Sequence, residues 1–156
     1  MNETLLILNP DKLIDSSIGV NLLLELTKTV ASGLFTSVLV YHTNKSLAGD
    51  CASLVTGLYE KVDKVFHIEE GASWYDRVKS DLQDVQGNLY VCGTSWDKDV
   101  YPCLLGLVTR NQLLLSSGKE PLNIRLLSKL TMASSTSLID TMCSSLELAF
   151  NTSVLL

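Results

Sequence analysis

The sequence lacks the features that mark a membrane or secreted protein. No apolar run approaches the roughly 18 to 20 residues that cross a bilayer, since even Val20 to Leu26 is interrupted by Asn21 and Glu25. The first residues have no basic stretch before their apolar run, which argues against a secretory signal. We therefore predict no membrane span and a cytoplasmic or other reducing intracellular compartment.

Metal-binding spacings and strong positive charge are also missing. The four cysteines form no CxxC and no Cys/His pair at zinc spacing, so we predict buried free thiols and no metal site. Because the formal net charge is -5, we expect no nonspecific electrostatic attraction to the phosphates of nucleic acid. Nucleic acid is therefore not a predicted partner.

The common catalytic and phosphate-binding motifs are absent as well. No GxGxxG follows the first apolar run, and neither GxxxxGK[ST] nor GxSxG occurs. His42 and His67 are the only histidines. We predict no catalytic residue, while leaving open whether the chain is an enzyme.

What is present is a strand and helix alternation in 156 residues, of which 46% are hydrophobic. This size and composition predict one α/β domain over residues 1–156. Four apolar runs read as strands, namely Thr4–Leu8, Thr36–His42, Val62–Glu69 and Leu89–Cys92. Helical spacing predicts intervening helices over about 16–32, Ser46–Lys61 and Ser73–Val85, the last carrying Trp74 inward. We predict a three-layer Rossmann-like parallel sheet of order 3-2-1-4.

After Arg110 the pattern predicts additional carboxyl-terminal elements. Gln112 to Glu120 is predicted to hold a short strand and a turn, and Pro121 to start a helix through Leu130. Another helix is predicted over Ser137–Phe150, and the last residues, 152–156, dock on the core or form an edge strand.

Ligands of open parallel sheets bind outside the carboxyl ends of strands, at the point where strand order reverses. Here that point lies between the loops after strands one and four. Gly93 permits close backbone approach, and the hydroxyls and the following helix can hold an anion, although capping alone also explains them. The predicted ligand-binding residues are Asn9, Asp11, His42, Gly93, Thr94 and Ser95. The charged run Asp97 to Asp99 is interpreted as complementing the helix dipole.

The stretch from Gly93 to Val108 has the order Gly-Thr-Ser, two residues, Lys-Asp-Val, one residue, Pro and an apolar helix. It resembles the amino-terminal domain of electron transfer flavoprotein alpha subunits, over about residues 4–108. Trp96-Asp97-Lys98 replaces that family's aromatic-Gly-Lys turn. The resemblance implies nucleotide or flavin association. The family's flavin is held chiefly by a carboxyl-terminal domain that finds no match after Arg110, so no flavin of its own is expected.

Three functions remain open from the sequence. The first is a noncatalytic interaction or adaptor subunit, which binds a protein partner as a homo- or hetero-oligomer through an apolar face on the Ser137–Phe150 helix near Trp96. The alternative is a nucleotide- or flavin-associated domain. A third is a small hydrolase or transferase that uses Ser95 or Thr94 with His42 as base, although a structural role for this histidine is the simpler interpretation.

Overall fold

A computed structural model describes residues 2–10, 17–43, 57–69, 71–93, 96–131 and 153–155. Its strands form one sheet in the order β3-β2-β1-β4-β5-β6, and every adjacent pair is parallel. The strands are β1 Glu3–Leu8, β2 Ser37–His42, β3 Lys64–His67, β4 Asn88–Gly93, β5 Asn123–Thr131 and β6 Ser153–Leu155. The helices are α1 Ser17–Ala31, α2 Trp74–Asp81 and α3 Tyr101–Ser116, and a π-helical turn, Trp96–Val100, leads directly into α3.

The predicted α/β class and the strand order 3-2-1-4 are confirmed, and the sheet continues through β5 and β6. The packing of the central strand β1 explains the run of four apolar residues from Leu5 to Leu8. Leu6 and Leu8 pack in one cluster with α2 and α3, whereas Leu5 and Ile7 pack in a second cluster with α1 and Leu58. A parallel strand covered on both faces favours a near-continuous run of apolar side chains.

The helix signals in the first half of the chain are largely confirmed. Gly33 follows α1 with φ +76°, a conformation that suits glycine at a helix end. Ser73 caps α2, since its hydroxyl accepts a hydrogen bond from the Asp76 amide at 3.3 Å. This helix ends at Asp81, four residues before the predicted end. Of the helix predicted over Ser46–Lys61, residues 57–59 are helical, and everything before residue 57 lies outside the described residues.

Two predictions for the carboxyl-terminal part were wrong. The stretch predicted as a short strand instead continues α3 as far as Ser116, and the chain turns at Gly118 with φ +72°. The helix predicted from Pro121 to Leu130 is replaced by strand β5, because Ile124 and Leu126 are buried in alternation and pair with β4.

The remaining carboxyl-terminal predictions have mixed outcomes. Strand β6 pairs with β5 at the edge of the sheet, as an edge strand was expected to do. The helix predicted over Ser137–Phe150 lies outside the described residues. Among the helices that the structure describes, none has the length and apolarity needed to cross a membrane.

Candidate functional site

A cavity of about 340 Å³ opens at the carboxyl ends of β2 and β3, on the side of the sheet that carries α2. Four chain segments meet there: the residue after β2, the loop after β3, the start of α2 and the π-helical turn. The lining residues are Thr43, Ile68, Glu69, Gly71, Ala72, Trp74, Lys98 and Asp99. The carboxyl edge of an open parallel sheet is where ligands of such folds bind.

Backbone hydrogen bonds fix the loop that forms the floor of the cavity. The Ile68 amide donates to the His42 carbonyl at 2.9 Å, which extends the pairing of β3 with β2 by one residue. The Ala72 amide then donates to the Glu69 carbonyl at 3.1 Å and closes a tight turn. Gly71 lies in this turn at φ +81°, where a side chain would be strained. The loop therefore has a defined shape before any ligand binds.

A network of aromatic and charged side chains supports the wall of the cavity. Trp74 is half-buried, and its ring packs edge to face on Tyr41 with centroids 5.2 Å apart. The Tyr41 hydroxyl donates to Asp81 Oδ2 at 2.8 Å, and Arg77 Nε donates to the same oxygen at 3.1 Å. Burial and this bond to a carboxylate raise the pKa of Tyr41, so the phenol stays neutral. The network holds the indole in place from behind.

The polar lining combines two carboxyl groups with one ammonium and one hydroxyl group. Glu69 is exposed, and its Oε1 lies 3.0 Å from His67 Nε2. Lys98 is also exposed, whereas Asp99 is only 5% exposed. The Thr43 hydroxyl donates to Asn9 Oδ1 at 3.2 Å. With more carboxyl than ammonium groups, this lining favours ligands that donate hydrogen bonds over ligands of high negative charge.

Sequence reasoning gave Asp99 a different role from the one that the structure shows. The interpretation as a complement to the helix dipole expects solvated acids in a first α-helical turn. Instead, Asp99 is buried within the π-helical turn, and α3 begins two residues later. A π-helical turn breaks the 3.6-residue period on which the pattern depends, so periodicity carries no signal for it. Trp74 was predicted to pack inward or to serve as an interface anchor, and not to line a cavity.

Two of the predicted ligand residues, Asn9 and Gly93, contact other parts of the protein in ways that explain their presence. Asn9 is buried at φ 51°, and its Oδ1 accepts hydrogen bonds from the amide and hydroxyl of Thr43, which joins the end of β1 to the end of β2. A Cβ on Gly93 would lie 2.8 Å from Leu8 Cβ and 3.0 Å from Val100 Cγ2. Glycine is thus required by the packing of the π-helical turn on β1. Neither residue lines the cavity, and a ligand role for them stays a prediction.

The other predicted ligand residues are not brought to the cavity by the described structure. His42 is half-buried, with its ring 5.2 Å from that of His67 and 6.3 Å from that of Tyr59, and it does not line the cavity. Asp11, Thr94 and Ser95 lie outside the described residues, so their roles stay predictions.

In the described part of the chain, the cysteines are buried, and the residue types that bind metals are not grouped into a site. Cys92 and Cys103 are free and fully buried, as predicted, and burial raises the pKa of both thiols. A buried thiol with a raised pKa forms little thiolate and is a poor nucleophile. Within the described residues, no three side chains of His, Cys, Asp or Glu are grouped so that they can hold a metal ion.

Comparison with known proteins supports the fold alone. No protein family pattern matches the chain, and no curated protein matches its sequence. A solved structure described as MAR1 ribonuclease from Caenorhabditis elegans is similar, with a TM-score of 0.50 and 16% sequence identity. The match covers 95% of this chain and 73% of that one. It is consistent with the Rossmann-like parallel sheet, and the resemblance to electron transfer flavoproteins stays a prediction.

Proposed function

We propose that the chain is a noncatalytic domain that binds a nucleoside-bearing ligand in the cavity at the carboxyl ends of β2 and β3. The observation that carries this proposal is a half-buried tryptophan, Trp74, in one cavity with the carboxyl groups of Glu69 and Asp99. A base stacked on an aromatic ring contributes about 1–3 kcal/mol. Carboxylates accept hydrogen bonds from ribose hydroxyls in related folds. The cavity therefore offers an indole ring for the base and carboxyl groups for the ribose.

The charge of the cavity limits how many phosphates the ligand carries. Lys98 is the one cation among the lining residues that the structure describes, and it faces two carboxyl groups in the same cavity. A triphosphate would bring several negative charges toward Glu69 and Asp99 with one ammonium to balance them. We therefore expect nucleosides and nucleoside monophosphates to bind more tightly than triphosphates.

The noncatalytic part of the proposal follows from what the described residues do not assemble. The thiols of Cys92 and Cys103 are buried, and His42, the candidate base, is not among the described residues that line the cavity. A shared fold with a ribonuclease does not transfer its chemistry, because function belongs to the site. We expect the purified protein to leave a labelled single-stranded RNA intact with and without Mg²⁺. Cleavage that disappears in Asp99→Asn would overturn this part of the proposal.

A thermal-shift series with adenosine, AMP, ATP and FMN tests binding. At a hundredfold excess over the dissociation constant, a ligand stabilises the folded state by about 2.7 kcal/mol. For a chain of this size that free energy raises the Tm by about 5–11 °C. We expect this shift for adenosine or AMP and a smaller one for ATP.

Matched variants assign the binding to the cavity. Trp74→Leu removes the stacking surface and should abolish the shift, whereas Tyr75→Leu removes a neighbouring aromatic ring that does not line the cavity and should retain it. No shift with any of the four compounds, or an equal shift in Trp74→Leu, contradicts the proposal.

A second candidate function, the adaptor subunit, is favoured by one separate observation. Helix α3 exposes three leucines, Leu105 at 41%, Leu113 at 49% and Leu115 at 50%. Exposed large apolar side chains on one helix are typical of protein interfaces when they form a contiguous patch. Size-exclusion chromatography with light scattering should then show an oligomer that dissociates in the double variant Leu105→Gln, Leu113→Gln. A monomer that captures no partner from lysate counts against this candidate.

A further inference from the structure

A second and larger cavity, of about 840 Å³, lies at the opposite edge of the sheet. It is bounded by the first residues of β4 and β5, by the loop after α2 and by the second half of α3 with the turn that follows. Its polar lining includes Asn88, Arg110, Lys119, Glu120 and Asn123. None of them lines the nucleoside cavity proposed above.

The central feature of this cavity is a buried guanidinium group with spare donors. Arg110 is only 7% exposed, and its Nη2 donates to the Leu82 carbonyl at 3.0 Å. Its Nη1 is buried and has no hydrogen-bond partner among the residues that the structure describes. In the described part of the chain, the ion pairs do not include Arg110. Buried charges in proteins are paired as a rule, so this arrangement needs an explanation.

Loss of the proton does not remove this charge. Burial lowers the pKa of the Arg110 guanidinium, and no carboxylate of the described residues offsets that effect. Arginine nevertheless remains protonated in proteins, because its pKa begins far above neutrality. A buried lysine can release its proton, but a buried arginine keeps its charge and gains from an anion.

The neighbouring polar groups are not available to neutralise Arg110. Asn123 Nδ2 donates to Asn88 Oδ1 at 2.6 Å, and Asn88 Nδ2 donates to the Glu3 carboxylate at 2.7 Å, so these amides are engaged with each other and with β1. Lys119 and Glu120 are both exposed. Lys119 and Glu120 thus place one cation and one carboxylate at the mouth of the cavity, and Arg110 is the fixed positive charge inside it.

We propose that this cavity binds a small molecule through an oxyanion, a phosphate or carboxylate group that contacts the guanidinium group of Arg110, with Lys119 at the entrance. A guanidinium presents parallel N–H donors that match the oxygen spacing of both anions. The cavity volume is in the range of small-molecule sites, so there is room for the remainder of the molecule. The two cavities share no lining residue, so this proposal does not rest on the proposed nucleoside binding.

The test follows the Arg110 guanidinium directly by NMR of protein with ¹⁵N-labelled arginine side chains. Inorganic phosphate and succinate are added separately at millimolar concentrations, and the Tm is measured in the same solutions. We expect the Arg110 Nη resonances to shift and the Tm to rise with at least one anion. A response to phosphate alone assigns a phosphate ligand, and a response to succinate alone assigns a carboxylate ligand. No response to either overturns the proposal.

Two variants and a control separate binding from folding. Arg110→Met keeps the length of the side chain but removes its charge, so the Tm should no longer respond to the anions. Arg125→Met, which removes a half-buried arginine outside this cavity, should keep the response. If Arg110→Met does not fold, Lys119→Ala serves instead, and the anion should bind it several-fold more weakly. An undiminished response in Arg110→Met, or in Lys119→Ala where that variant is used, contradicts the site.

Discussion

Replacing Gly93 with alanine separates two explanations for the glycine that ends β4. One is that the glycine leaves room for a ligand, as its position at the reversal of strand order predicts. The structure shows another reason, because an added Cβ would lie 2.8 Å from Leu8 Cβ, 3.0 Å from the Leu8 carbonyl oxygen and 3.0 Å from Val100 Cγ2. Two of these contacts belong to a side chain or backbone that is itself fixed in the centre of the sheet.

The size of the effect follows from how little these neighbours can move. Leu8 is fully buried and pairs with Gly93 in the sheet register, so relief requires a shift of β1 or of the π-helical turn. Adding a methyl group to a closely packed core costs about 1–3 kcal/mol. For a chain of this size we expect the Tm of Gly93→Ala to fall by about 2–12 °C.

Urea unfolding followed by circular dichroism measures this loss, with Gly57→Ala as the matched control. Gly57 is helical, and outside its own helix no atom of the described residues lies within 4 Å of an added Cβ. Alanine there should therefore be neutral or stabilise by up to about 1 kcal/mol. Because Gly93 does not line the nucleoside cavity, Gly93→Ala should still bind adenosine at temperatures where it is folded. A stability within about 0.5 kcal/mol of the wild type would refute the packing argument.

Three further substitutions or treatments have defined outcomes. Asn111→Leu should destabilise by about 2–4 kcal/mol in urea unfolding, because the buried Asn111 amide both donates to the Leu122 carbonyl and accepts from the Leu122 amide at 2.8 Å; a loss below about 1 kcal/mol contradicts that role. Tyr41→Phe should cost about 1 kcal/mol by removing the hydroxyl bond to the α2 carboxylate, and an unchanged unfolding midpoint would show the bond to be neutral. Cys92 and Cys103 should resist a thiol reagent in the folded protein at pH 8 and react fully in urea, whereas rapid reaction of both before unfolding would contradict their burial.

Strands β1 and β2 were predictable because most of their residues are apolar and match one environment, burial on both faces of the sheet. Leu5 to Leu8 is apolar at every position, as a strand buried on both faces requires. The end of α1 is equally local, since Gly33 adopts a positive φ that suits glycine. Strand β5 was missed for a physical reason. Pro121 imitates the start of a helix, and the alternation of Ile124 and Leu126 is too short to outweigh it before the pairing with β4 is known.

The candidate site was less predictable than the fold. The cavity lies at the carboxyl edge of the sheet but follows β2 and β3, whereas the site was predicted between the loops after β1 and β4. It is lined by segments that are far apart in the chain, from Thr43 to Asp99. Sequence spacing cannot tell whether a glycine after a strand makes room for a ligand or for the protein itself, and at Gly93 the close contact is with Leu8. Likewise, the carboxamide of Asn9 is engaged by Thr43, which only the register of two strands brings together.

The most direct test of nucleoside binding in the cavity at the carboxyl ends of β2 and β3 is to locate adenosine on the protein by amide NMR. If the cavity binds the nucleoside, adenosine should shift the amide resonances of Thr43, Gly71 and Lys98, which come from three separate segments around the cavity. The indole N–H resonance of Trp74 should shift with them. Amides around Arg110, at the opposite edge of the sheet, should not move. Resonances of the three cavity segments that stay unshifted at saturating adenosine, or shifts confined to other surfaces, would contradict the account.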